Sequence, residues 1–153
     1  MTESDYVNTP SSFELLFAKD GISLETTAEK ITATFAFVQN DDREILVMKN
    51  ERGWDIPGGH LDENEDVLDA THREVLEEAC VTIKNVGFFA LIKNADTAMS
   101  VFRAEPVEEK EFVQNIEDPT SDRTWMSADQ FMKVYSGGDK VMMSGLLAEL
   151  PAN

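Results

Sequence analysis

The chain has 153 residues, 42% of them hydrophobic, a single cysteine and a formal net charge of -17. That length and apolar content predict one domain with its own core and exclude wholesale disorder, and no run approaches the roughly 20 apolar residues of a membrane-spanning helix. The acidity excludes sequence-independent binding to a nucleic-acid polymer, whose phosphates it repels.

Residues 1–12 are polar and predict a loose N-terminus ahead of a single domain over 13–153. They lack the basic start and apolar run of a secretory signal. The lone Cys80 excludes an intrachain disulfide and suits a reducing cytoplasm. Phe13–Lys19 (FELLFAK) is compatible with a strand or with a helical turn. Ile31–Gln39 (ITATFAFVQ), β-branched and aromatic, predicts a strand covered on both faces. Asn40-Asp41-Asp42 is a turn signal and Glu44–Lys49 a second strand, so the pair predicts a hairpin.

Asn50–Gly53 marks another turn, after which Trp54-Asp55-Ile56 meets Pro57-Gly58-Gly59. Proline stops a strand there, and two glycines permit a turn. A helix is predicted from Asn64 or Glu65, with Asp62 or Asn64 as N-cap. Leu68, Val75, Leu76 and Ala79 form its apolar side, and Ala70 and Thr71 allow close approach. Val81–Lys93 and Thr97–Ala104 predict two strands about an Asn94-Ala95-Asp96 turn, and Asp122–Met126 a short final strand. Ser127–Tyr135 predicts a Ser-capped helix stopped by Gly137-Gly138, and Val141–Leu150 a terminal helix. This order predicts an α/β fold, a mixed sheet with helices packed on it.

The acids cluster. Residues 62–78 hold eight, and residues 105–122 hold seven against one base, Lys110; together these are half of the 30 in the chain. Helical geometry of about 100° per residue puts Glu74, Glu77 and Glu78 within an arc of roughly 100°. Like charges at this spacing destabilise a bare helix, more so towards its C-terminal half, and a cation relieves them. Oxygen donors without paired histidines favour magnesium, or manganese, over zinc. Taken alone, such a helix reads more readily as a solvated acidic face. The preceding Pro57-Gly58-Gly59 lets backbone approach whatever the carboxylates bind, and Glu65 is placed to pair with Arg73 and hold the cluster in register.

The stretch Gly59–Val81 resembles the signature of the Nudix hydrolase superfamily (MutT-like), G-x5-E-x7-R-E-U-x-E-E-x-G-U, with U a bulky apolar residue. Gly59, Glu65, Arg73-Glu74, Val75, Glu77-Glu78 and Val81 fill its fixed positions, and Cys80 stands where the pattern has glycine. That glycine suits a positive-φ turn after the helix, so Cys80 there costs on the order of 1 kcal/mol or relaxes the turn. The resemblance implies an α/β/α sandwich and hydrolysis of a nucleoside diphosphate linked to another group. It implies magnesium held by Glu74, Glu77, Glu78 and the Gly59 carbonyl. Pyrophosphate hydrolysis needs neutralised charge and an activated water, and Glu74 or Glu77 is the residue to orient or deprotonate that water. Members often recruit a further acid from outside the motif. Glu117 is the first choice, ahead of Glu105 and Glu108, although a solvated loop acid is the plainer reading.

Lys49 and Arg52 are candidates for substrate phosphate and Trp54 for base stacking, each with an ordinary surface or core role as alternative. His60 and His72 lack ligand spacing. The implied partner is a small nucleotide, most readily a nucleoside triphosphate, oxidised ones included; neither nucleic-acid polymer nor membrane is expected, and a homodimer is common in the family. A non-catalytic Nudix nucleotide-binding domain is the alternative function.

Overall fold

Apolar residues on both sides of one strand organise the molecule. The computed structural model describes residues 13–27, 29–114 and 120–151; the expectation for residues 1–12 and the candidate Glu117 lie outside them. In β2 (Lys30–Val38), Phe35 and Phe37 face one core cluster while Ala36 and Val38 face another. A strand covered twice has to sit inside a layered fold. It does so in a five-stranded mixed sheet of order β1-β6-β7-β2-β5. The other members are β1 (Glu14–Phe17), β5 (Gly58–His60), β6 (Val81–Lys93) and β7 (Thr97–Glu109). β2 runs parallel to β7, and the remaining pairs in this sheet are antiparallel. A second, three-stranded antiparallel sheet orders β4 (Gly53–Asp55), β3 (Ile45–Asn50) and β8 (Thr120–Met126) as β4-β3-β8.

Among the described residues three α-helices complete the layers: α1 (Val67–Ala79), α2 (Ala128–Val134) and α3 (Lys140–Ala148). Val75 and Ala79 of α1 pack with Ala36, Val38, Leu46, Val81, Ile83 and Ala104 on one side of the large sheet. Phe131, Met143, Leu146 and Leu147 of α2 and α3 pack with Phe37, Val101 and Phe89 on the other. Helix α2 is N-capped by Ser127, as its sequence predicts, and Gln130 completes a capping box there.

Several elements differ from the sequence expectation. Phe13–Lys19 is both alternatives in succession, a strand followed by a 3-10 turn over Ala18–Asp20. The turn at Asn40 forms, its side chain accepting from the amides of Asp42 (3.1 Å) and Glu44 (2.9 Å). The flanking strands nevertheless share only the Gln39–Ile45 bridge and diverge into different sheets, so no extended hairpin exists. Pro57-Gly58-Gly59 does not make a simple turn, because its glycines begin the edge strand β5, paired with β2 through Gly58–Phe35 and Gly59–Thr34. Strand β7 continues to Glu109, beyond the Ala104 expected.

Helix α1 also starts later, at Val67, with Asp66 as N-cap accepting from the Leu68 amide at 3.2 Å. Asp62–Glu65 form a turn of their own, closed by Glu65 N–H to Asp62 carbonyl at 3.1 Å with Asn64 at φ 62°. The buried stripe is Ala70, Thr71, Glu74, Val75, Glu78 and Ala79, whereas Leu68 and Leu76 are 43% and 40% exposed. Small residues set this rotation: the Thr71 hydroxyl reaches Thr34 of β2 at 2.7 Å, a contact that a bulky residue facing the sheet would prevent.

Candidate active site

Two of the three glutamates lie in the stripe that a soluble helix reserves for apolar side chains. Glu74 is 7% and Glu78 2% exposed. Burying a carboxylate is costly without partners, and β5 supplies some. The Gly58 amide donates to Glu78 Oε1 at 2.7 Å. Gly59 lies against Glu74, so closely that a Cβ there would come within 2.8 Å of Oε1. A Cβ on Gly58 would meet the Thr34 carbonyl oxygen at 2.4 Å. Neither glycine has positive φ. Their role is to carry no side chain, so that β5 lies tight against β2 and α1.

Arg73 ties the loop before the helix to the carboxylates. Its Nε and Nη2 donate to Glu65 at 2.8 and 2.9 Å, a bidentate pair. Nη2 also donates to the His60 carbonyl at 3.1 Å, and Nη1 donates to Glu74 at 2.9 Å and Glu77 at 3.0 Å. The Arg73 hydrogen bonds, with help from the Asp62 amide, hold the Glu65 carboxyl down at about 2. Those same contacts push the Arg73 guanidinium further up. Glu77, with a side chain 46% exposed against 10% for Glu74, is the solvent-facing member of the three.

The donor chemistry fits a hard divalent cation: carboxylates on one arc of a helix with a side-chain-free backbone strand beside them. Among the described residues no three Asp, Glu, His or Cys side chains are grouped so as to hold a metal ion, and Arg73 instead holds Glu74 and Glu77. Glu105 is exposed on β7, where Asn85 donates to it, and Glu108 is exposed near its end. His60 and His72 belong to no ligand group among the described residues.

Cys80 adopts the left-handed conformation, φ 56° and ψ 40°, so the turn geometry persists despite its side chain. Its sulfur accepts from the Val113 amide at 3.4 Å and meets the Val113 carbonyl at 3.6 Å.

Lys49, Arg52 and Trp54 stand together on the β3–β4 hairpin. Lys49 pairs across from Trp54 with its ammonium 5.9 Å from the ring centroid, and Arg52 occupies the exposed turn. The hairpin leads directly into Asp55, which the sequence reading passed over. Burial pushes the Asp55 carboxyl up to about 6, against the opposing effects of the Ile56 amide and Arg52. With Ile56, Phe35, Tyr135 and Met142 it lines a small cavity of about 90 Å³. Burial, then the charges of Asp55 and Asp139, push the Tyr135 phenol up to about 12. An acid set between Trp54 and Ile56, just ahead of the glycine strand, was the available signal; Tyr135 lies 80 residues away and gave none.

The α/β/α layering, with a glycine edge strand set against a glutamate-bearing helix, defines the class of the molecule. The chain belongs to the Nudix family, whose NUDIX domain matches residues 29–144. It is 38% identical over 72 residues to the uncharacterized Nudix hydrolase YvcI of Bacillus subtilis, a match covering 44% of this chain and 46% of that protein. The chain thus spans about half the length of that curated relative. Among solved structures, a NUDIX hydrolase from Nitrosomonas europaea superposes with a TM-score of 0.64 at 18% identity, covering 78% of this chain and 87% of that one. A MutT NUDIX hydrolase from Burkholderia pseudomallei superposes with a TM-score of 0.61 at 20% identity, covering 80% and 100%. These identities speak to the fold alone.

Proposed function

We propose that the chain is a magnesium-dependent hydrolase that cleaves a pyrophosphate bond in a nucleoside diphosphate linked to a further group. A nucleoside triphosphate, oxidised forms included, is the leading substrate class. The observation that carries this reading is the placement of Glu74 and Glu78 in the buried stripe of α1 against the β5 glycines. Structural economy would put apolar side chains there.

Glu74, Glu77, Glu78 and the Gly59 carbonyl would hold the metal, with manganese as a substitute. When bound, a divalent ion neutralises charge on the phosphate oxygens and lowers the pKa of a coordinated water. Glu77, the most exposed of the three, or Glu74 beside it, orients or deprotonates the attacking water. Glu65 and Arg73 brace the cluster, and Glu117 is the candidate for a further ligand. Lys49 and Arg52 meet substrate phosphates, and Trp54 flanks the base. The names of the similar proteins support a hydrolase of the MutT type. We place its work in the cytoplasm, on a small nucleotide, and a homodimer is compatible with it.

The experiment offers the purified protein, with magnesium, a panel of nucleoside triphosphates, ADP-ribose, dinucleotides and nucleotide sugars. Turnover of at least one, abolished by a chelator, is expected. No turnover of any, with thermal stability unchanged on adding magnesium, would favour a non-catalytic member instead.

A further inference from the structure

A cleft of about 750 Å³ opens at the C-terminal end of β2, between β6, β7 and the turn after β1. It is separate from the glutamate site. Gln39 on its wall lies five residues along the strand from Thr34, the partner of Gly59, about 16 Å at ~3.3 Å per residue. Its Arg103 is paired with Phe37, whose side chain faces the α2–α3 side of the sheet, while α1 covers the opposite face.

Two features distinguish this cleft. Its walls carry four bases (Lys19, Arg43, Lys84 and Arg103) to three acids, where the whole chain has 13 to 30. Lys19 is committed to Glu149, but Arg43, Lys84 and Arg103 form no ion pair among the described residues. The second feature concerns satisfaction of polar groups. Among the described residues two side-chain polar atoms are fully buried without a hydrogen-bond partner, Arg103 Nε and Gln39 Oε1, and both belong to this cleft. Gln39 is only 7% exposed, and its amide nitrogen already donates to the Pro151 carbonyl at 3.4 Å. Groups so placed cost stability unless something pairs with them. One needs an acceptor and the other a donor. Phe17 and Phe88 add apolar wall.

We propose that this cleft is a second binding site, for a small phosphate monoester carrying a hydroxyl or amide donor and a planar apolar body, the chemistry of a nucleoside monophosphate. The oxyanion takes the guanidinium edge of Arg103, with Lys84 and Arg43 nearby, and a hydroxyl donates to Gln39 Oε1, each after the small side-chain turn that brings these buried atoms to the cleft surface. Asp41, Glu105 and Glu149, which also line the cleft, disfavour a polyphosphate. The site stands whether or not the glutamate cluster is catalytic.

The test is equilibrium binding to the full chain in chelator, followed by calorimetry and thermal shift, with AMP, inorganic phosphate and benzoate as probes. AMP is expected to bind at least tenfold more tightly than either other probe. Arg103→Met and Arg103→Lys should each weaken AMP at least tenfold, and Gln39→Leu severalfold, while Glu77→Gln binds it as wild type does. Arg103→Lys guards against a folding defect in the methionine variant, since it keeps the charge and loses the fork. Absence of binding, equal affinity for AMP and inorganic phosphate, preference for benzoate, unchanged affinity in both Arg103 variants, or loss in Glu77→Gln would each overturn the proposal.

Discussion

Gly59 and Glu74 are in such close apposition that a Cβ on residue 59 would sit 2.8 Å from the Glu74 Oε1 and 2.9 Å from its Cδ. The obstacle is the end of a flexible side chain, so Gly59→Ala should fold with the Glu74 carboxylate displaced. A shift of about 1 Å at a reacting centre costs on the order of 10²-fold. Steady-state kinetics should show a loss of that size in kcat with the melting temperature nearly kept. Gly58→Ala differs, because its Cβ meets the Thr34 carbonyl at 2.4 Å, and it should be destabilised outright.

Arg73 joins Glu65, Glu74, Glu77 and the His60 carbonyl through one planar group. A lysine has no fork to share among them, so Arg73→Lys should lose activity at least tenfold and lower the melting temperature. The Glu65 carboxyl is depressed from 4.5 to about 2 in the fold. Its contribution is present above the unfolded value and is lost as pH falls from about 4.5 towards 2. The stability gap between wild type and Glu65→Gln, read by urea unfolding, should therefore narrow across that window.

At Cys80 the left-handed backbone persists at φ 56°. Cys80→Gly should relieve about 1 kcal/mol, or roughly 2–4 °C for a domain of this size. Cys80→Ala keeps the backbone cost and loses the sulfur contacts to Val113, so it should not gain. Thermal melts of the two variants separate the backbone effect from the sulfur.

Asp55, with its carboxyl raised from 3.8 to about 6, stabilises the fold most when protonated. That benefit is complete below the unfolded value and lost as pH rises through about 6. The shift corresponds to an order of 3 kcal/mol. Asp55→Asn keeps an acceptor for the Ile56 amide, which meets Oδ1 at 2.7 Å. It should melt higher than wild type at pH 8 and equally at pH 3.5, the mark of a carboxylate retained in a small cavity at the expense of stability.

Much of this was legible in sequence, and the limits have physical reasons. Val81–Lys93 is a strand over the residues its β-branched and apolar content predicts. Strand β5 was hidden because Gly58-Gly59-His60 has no strand propensity; it pairs because it lacks bulk. On α1, Val75 and Ala79 are buried with Ala70 and Thr71 as their sequence predicts, whereas Leu68 and Leu76 are exposed, since the contact of Thr71 with Thr34 outweighs their apolarity. The motif residues Gly59, Glu74 and Glu78 meet at the β5–α1 contact, where local spacing and fold agree. The cavity holding Asp55 and Tyr135 joins segments distant in the chain, and no periodicity announces such a meeting.

The role of Glu77 is tested most directly by comparing wild type with Glu77→Gln in the initial rate of pyrophosphate-bond cleavage at saturating magnesium. The Glu77 side chain is 46% exposed and glutamine keeps an acceptor for Arg73, so the variant should fold and melt as wild type does. A kcat lower by about 10²-fold or more is predicted. Full activity in the variant, at equal magnesium affinity, would contradict a metal-holding or water-activating role for Glu77.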